Sequence, residues 1–262
     1  MMNPSETLLA LDIGNTHVVL GIFKGQELTI TRRLSTQSTR TADEAGVLVK
    51  SLCSDSGVSP KEIDAVAISS VAPRIGMVYG HMAESHLGLK PLFIHGEIPN
   101  FENHCKPRKA LGADRVCNAV AGFEKFGGPL LILDFGTAIT IDVIDGSGAY
   151  MGGAIMPGLE KSAATLNQST ALLPEVRLSM PKDVIATTTD ESIRVGLMKG
   201  TAFGLRGLLN EFRETLGDMN TKVIATGGVA RVLIPHIPEV TAYEPNLVLD
   251  GIFKIYKRSK TW

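Results

Sequence analysis

The first strong pattern in the chain is an apolar run, LLAL (8–11), closed by Asp12 and Gly14. A short apolar run bounded by a polar, Gly-containing turn predicts a buried strand. Two further strands are predicted, from His17 to Phe23 and from Glu27 to Leu34. Thr41 and Glu44 form a T-x-x-E capping box, predicting a helix through Cys53. Ser59, Pro60 and Glu62 resemble a second, short helix start. Ile63 to Val71 is apolar and β-branched enough for a strand, 74–89 suits a helix, and 91–95 suits another strand. The stretch 96–111 is polar and irregular and reads as a loop over a site. From Asp114 onward Val116, Val120 and Phe123 recur at helical spacing.

The opening pattern then returns. LLALDIGNTHVVLGIF (8–23) aligns with LLILDFGTAITIDVID (130–145), with Asp and Gly at matching places in both. This predicts a duplicated βββαβα domain, divided as 1–114 and 115–262, in an α/β fold with mixed sheets flanked by helices. In the second half, YMGGAIMPG (150–158) marks a turn-rich edge. Thr189 is predicted to cap a helix running to about Leu216, with Gly196, Gly200 and Gly204 on one face. That stripe suits close packing, inside a subunit or between subunits. A last strand (222–228) and a last helix (Leu247 to Tyr256) complete the expectation.

Composition narrows the function. The formal net charge of −1 argues against a nucleic-acid binder, and 44% hydrophobic residues against disorder. Cys53, Cys105 and Cys117 form no C-x-x-C pair, so neither zinc nor a disulfide framework is indicated. No apolar run reaches the length of a membrane span, and MMNPSETLLALDIG lacks the basic start of a signal peptide. A cytoplasmic protein with no membrane or nucleic-acid partner is expected.

Three Gly turns carry the candidate chemistry. In Asp12-Ile13-Gly14-Asn15-Thr16, an Asp at a strand end can reach a phosphate-held Mg²⁺, and Gly14 lets backbone N–H groups approach anionic oxygens. Taken alone, D-x-G-N is also good chemistry for an ordinary hairpin turn. Asp134-Phe135-Gly136-Thr137 repeats the acid and the Gly, and Thr226-Gly227-Gly228 offers backbone that can lie flat against a nucleoside. No G-x-x-x-x-G-K-[ST] motif occurs, and no G-x-G-x-x-G opens a helix after a strand. A hairpin phosphate clamp used twice is the solution of the actin-like (ribonuclease H-like) ATPases, with nucleotide in the interdomain cleft. Gly112-Ala113-Asp114-Arg115 opens a helix, where Asp114 can accept a hydroxyl proton and Arg115 can bind a carboxylate or phosphate. From spacing alone, a helix-start ion pair that does no chemistry is the better reading.

Taken together, D-I-G-N-T-H (12–17), L-G-A-D-R-V (111–116), D-F-G-T-A-I-T (134–140), Y-M-G-G-A-I-M-P-G (150–158), T-A-L-L-P-E-V (170–176), T-D-E-S-I-R-V-G (189–196) and A-T-G-G (225–228) resemble the type III pantothenate kinases nearly end to end. The resemblance implies ATP-dependent phosphorylation of the primary hydroxyl of pantothenate. It implies that Asp12, Ile13, Gly14, Asn15, Thr16, His17, Val18 and Val19 hold ATP, with Asp12 near Mg²⁺, and that Thr137, Gly227 and Gly228 also touch ATP. It makes Asp114 the proton acceptor and gives Gly112, Ala113, Arg115, Cys105 and Thr189 to pantothenate, Thr189 across a homodimer interface. Asp134 would hold a monovalent cation, K⁺ or NH₄⁺. Two segments depart from the family pattern. Cys105-Lys106-Pro107 stands where the family has an aromatic followed by Asn-Pro, and Ala186-Thr187-Thr188 where it has Gly-Lys-Asn. These leave two alternatives open: a catalytically weak relative with a regulatory role, and an actin-like kinase of another small hydroxy compound.

Overall fold

The computed structural model describes residues 6–261. The polar start 1–5, which entered the signal-peptide reading, and Trp262 lie outside the described residues. In chain order the elements are β1 (Thr7–Ile13), β2 (His17–Lys24), β3 (Glu27–Ser35), α1 (Ala42–Asp55), β4 (Ala65–Ser70), α2 (Pro73–Leu87), β5 (Leu92–Ile94), α3 (Ala113–Phe126), β6 (Leu130–Phe135), β7 (Ala138–Ile144), β8 (Tyr150–Pro157), α4 (Leu159–Gln168), α5 (Thr189–Arg194), α6 (Gly200–Leu216), β9 (Lys222–Thr226), α7 (Ala230–Leu233), β10 (Ala242–Tyr243) and α8 (Leu247–Ser259).

The first sheet has the order β3-β2-β1-β4-β5, and the second β10-β9-β6-β7-β8. Read from the other edge, the second order repeats the first, element for element. In both, the first strand pairs antiparallel with the second and parallel with the fourth. A central strand buried on both faces must be apolar almost throughout. The β1 strand meets that demand except at Thr7 and Asp12, and β6 except at Asp134. Asp12 stands beside Ser69 of β4, and Asp134 beside Thr226 of β9.

The chain divides into two units. Residues up to Ala121 and from Leu247 onward form the first, and Gly122–Asn246 the second. The first unit therefore runs past the expected division at 114/115 to Ala121, within α3, and α8 returns to it. Packing explains that return. Phe253 of α8 stacks on Phe23 with ring centroids 4.7 Å apart, and α8 lies against β1, β4 and β5. On the other face of this sheet Leu9, Leu11 and Ile13 meet Val49, Cys53, Tyr79 and Met82 of α1 and α2. In the second unit Leu131, Leu133 and Phe135 pack on Ala202, Leu205 and Leu209 of α6.

Several local expectations are met for the stated reason. Glu44 N–H donates to Thr41 Oγ1 and Thr41 N–H donates to Glu44 Oε2, completing the capping box. Pro60–Glu62 is one short 3₁₀ turn, and 96–111 is irregular apart from a 3₁₀ turn at Arg108–Ala110. Others are corrected. The helix predicted from Thr189 to about Leu216 runs without interruption but contains a π-helical turn, Val195–Lys199, between α5 and α6. Its cap is Thr188, whose Oγ1 accepts from Glu191 N–H, and Thr189 is the first helical residue. The last strand stops at Thr226 because Gly227 adopts φ +92°. Gly196, Gly200 and Gly204 have open space where a Cβ would stand, and Phe203 beside them is 57% exposed, so packing within the chain does not use this stripe.

The tightest backbone approach in the first unit joins α8 to α3. A Cβ on Gly251 would collide with the Cys117 carbonyl oxygen. Overpacking of this kind costs about 1–3 kcal/mol, offset by about 1 kcal/mol of helix propensity when Ala replaces Gly. Gly251→Ala is expected to lower the urea midpoint of unfolding. A variant as stable as the parent would contradict the close α3–α8 contact.

Candidate active site

In the first unit, the β1–β2 connection is a tight turn. Gly14 N–H donates to the His17 carbonyl at 2.9 Å, and a Cβ on Gly14 would lie 3.1 Å from that oxygen. Asn15 and His17 are exposed, whereas Thr16, Val19 and Asp12 are half-buried. Ile13 and Val18 are fully buried in the core, so their side chains are out of reach of any ligand at this turn and only their backbone can serve one.

The start of α3 brings a second acid into the same unit. A Cβ on Gly112 would lie 2.5 Å from Asp114 Oδ1, so only Gly lets this carboxylate fold back over the helix start. Arg115 N–H donates to Asp114 Oδ1 at 2.8 Å. Although Asp114 keeps part of its surface open to solvent, its carboxyl sits deep. Burial raises its pKa above the ordinary carboxylate value, while the Arg115 N–H and the Arg115 charge pull it back down. Ala113 is buried and Arg115 half-buried. One turn further along the same face stands Cys117, fully buried. Burial pushes its thiol well above the usual range, the charges of Asp12 and Asp114 push it further, and the Ser69 hydroxyl opposes them. The two acids, far apart in sequence, thus both bear on one buried thiol. Sequence reasoning treated Cys117 only as an unpaired cysteine. Its i+3 spacing from Asp114 was the available signal.

In the second unit, Gly136 N–H donates to the Ala138 carbonyl at 3.0 Å, which closes the turn after Asp134, and Gly136 and Thr137 are exposed. Two glycines from other elements press on this hairpin. A Cβ on Gly158 would collide with the Thr137 carbonyl, and one on Gly227 would lie 2.5 Å from the Phe135 carbonyl. Tyr243 Oη donates to the Gly227 carbonyl at 3.1 Å, and Gly228 is exposed beyond it. Asp134, Thr137 and Gly227 thus belong to one neighbourhood. Gly158 was seen only as part of a turn-rich edge.

Two further expected pantothenate residues lie on other segments. Thr189 is exposed at the start of α5. Cys105 is half-exposed in the 96–111 loop, its N–H donating to Asn103 Oδ1 at 2.8 Å. Asn103 is only 2% exposed, and its Nδ2 donates to the Gly96 and Arg108 carbonyls, both at 3.0 Å. This one side chain organises the loop that ends at Gly112, and sequence reasoning missed it.

Among the described residues no three His, Cys, Asp or Glu side chains gather as a metal cage. A lone half-buried carboxylate such as Asp12 instead suits Mg²⁺, which is commonly held by one or two carboxylates together with substrate phosphates and water. Among the described residues no helix is long and apolar enough to cross a membrane.

The raised Asp114 pKa has a stability consequence. Its folded value lies above its unfolded value of about 4, so ionisation works against folding. The penalty is absent below the unfolded pKa and complete above the folded one. Asp114→Asn is therefore expected to gain stability relative to the parent as pH rises through the folded pKa. Urea titrations between pH 4 and 8 measure this, and a difference independent of pH would contradict it.

Comparison with known proteins now adds to this geometry. The profile of the type III pantothenate kinase family matches residues 8–211. A type III pantothenate kinase from Thermomicrobium roseum is 40% identical over 255 residues, covering 96% of this chain and 97% of that protein. Among solved structures, one described as a Baf family transcriptional activator from Campylobacter jejuni superposes with TM-score 0.62 at 18% identity, covering 97% of this chain and 100% of that one. An inorganic polyphosphate/ATP-glucomannokinase from Arthrobacter sp. superposes with TM-score 0.52 at 15% identity, covering 97% and 99%. At such identities these two speak for the fold alone. The family match and the near full-length relative go further: the chain belongs to the type III pantothenate kinases.

Proposed function

We propose that the protein transfers the γ-phosphoryl group of ATP to the primary hydroxyl of pantothenate, giving 4'-phosphopantothenate, the first step towards coenzyme A. The observation that carries this reading, beyond family membership, is the placement of Asp114, folded over Gly112 at the start of α3 and held by the Arg115 N–H. Burial raises its pKa and so makes it a stronger base than an ordinary carboxylate.

Phosphoryl transfer asks the protein for positioning and charge neutralisation more than for covalent help. The turn 14–16 supplies backbone N–H groups to phosphate oxygens, and Thr137, Gly227 and Gly228 contribute further ATP contacts. A divalent cation bound with ATP, which Asp12 would hold, neutralises phosphate charge. Arg115 is suited to the pantothenate carboxylate, with Gly112, Ala113, Cys105 and Thr189 completing the acceptor contacts. The hydroxyl oxygen bonds to the γ-phosphorus, the bond from that phosphorus to the ADP oxygen breaks, and the hydroxyl proton passes to Asp114. A carboxylate with a raised pKa is a better proton acceptor at neutral pH than an ordinary one.

Three finer points belong to the same reading. Asp134, half-buried at the end of β6, would hold K⁺ or NH₄⁺. A homodimer is supported by the uncovered Gly196/Gly200/Gly204 face with exposed Phe203. A cytoplasmic location follows from a pathway whose substrates are ATP and a small acid.

The purified protein with ATP, Mg²⁺ and K⁺ is expected to release ADP only when pantothenate is added, and to do so more slowly when Na⁺ replaces K⁺. Release without pantothenate, or only with another hydroxy compound, would contradict the assigned substrate.

A further inference from the structure

The turn Gly14-Asn15-Thr16 is held from one side by a residue that the mechanism has not used. Thr36, just after β3, reaches two of its carbonyls. Thr36 N–H donates to the Thr16 carbonyl at 2.9 Å, and Thr36 Oγ1 donates to the Gly14 carbonyl at 2.8 Å. The first bond continues the β2–β3 ladder and needs no particular side chain. The second is specific to a hydroxyl residue.

The geometry of a trans peptide makes this second bond consequential. Its C=O and the following N–H point to opposite sides of the chain. Holding the Gly14 carbonyl against Thr36 therefore turns the Asn15 N–H away from Thr36. Reversing that one peptide plane would exchange a donor for an acceptor on the open side of the turn. Facing a phosphate, this is the difference between attraction and repulsion. Gly14, having no side chain, cannot enforce the orientation itself.

Thr36 is in turn fixed to the core. The segment behind it is closed by Arg40, 9% exposed, whose Nη1 donates to the Ser35 carbonyl at 3.1 Å and meets Tyr79 Oη at 3.2 Å. Tyr79 is fully buried in α2. Arg40 N–H also donates to the Gln37 carbonyl at 3.2 Å, and the next residue, Thr41, caps α1. The hydroxyl is thus presented from a rigid support.

We propose that Thr36 is a positioning residue for nucleotide binding, whose hydroxyl holds the Gly14–Asn15 peptide so that the turn offers N–H groups rather than a carbonyl to the ATP phosphates. The proposal rests on the phosphate-binding role given to this turn above.

Thr36→Val and Thr36→Ser test it. Val keeps the branched shape and the backbone N–H bond but lacks the hydroxyl, and Ser restores the hydroxyl. ATP·Mg²⁺ affinity is measured by calorimetry without pantothenate, alongside kcat, both KM values and the melting temperature. Thr36→Val is expected to weaken ATP binding and raise the KM for ATP about fivefold or more, the equivalent of one hydrogen bond. The KM for pantothenate and the melting temperature stay as in the parent, and Thr36→Ser recovers ATP affinity. Parental ATP affinity in Thr36→Val overturns the proposal and leaves the kinase reading intact. So does a loss shared by Thr36→Ser or accompanied by a lower melting temperature, because that marks a merely structural role. Failure of the parent protein itself to bind ATP overturns both.

Discussion

A carboxylate tolerates burial only when its charge is offset or its proton retained, and this constraint governs the first unit. Asp114 folds back over Gly112 at the head of α3, while Asp12 ends a strand whose other residues are core. Cys117 is buried in the same unit, and burial and the charges of both acids raise the pKa of its thiol. A third ionised group at that position would compound the repulsion. Instead the arrangement suits ligands that bring a cation and give up a proton. The destabilisation inherent in such a site is compensated by the rest of the unit, where α8 closes on α3 without room for a Cβ at Gly251 and stacks Phe253 on Phe23.

Duplication explains how little chain achieves this. Both sheets use one strand order and end the first strand in an acid followed by a Gly turn. The copies then diverge. In the first, β5 leads into a loop tied by Asn103 and on to Gly112 and Asp114. In the second, β10 leads almost directly into α8. The first unit thereby gained a candidate base. In the second, Gly158 and Gly227 press on the β6–β7 hairpin.

Much of this was legible from residues alone. Apolar runs of strand length marked β1, β4, β6 and β9, the T-x-x-E box marked α1, and the repeated L-D-x-G marked the duplication. Short or weakly patterned elements were not legible. LEKSAATLNQ of α4 has too few large apolar residues to announce a helix, and two-residue β10 has no period at all. Three adjacent threonines left the cap of α5 ambiguous by one position, and Thr188 takes it. Gly158 and Thr36 were missed for a common reason. Each acts on a partner brought near by tertiary pairing, and no local pattern encodes that. Ile13 and Val18 show the converse, for a motif names residues without saying which offer side chains and which only backbone.

The account turns on Asp114 as the group that takes the hydroxyl proton, and the Asp114→Asn variant addresses this most directly. Its ATP affinity and its turnover of pantothenate are to be measured on the same preparation. ATP should bind as in the parent while turnover falls by about 100-fold or more, the usual contribution of a positioned general base. Turnover near the parental level would contradict the account.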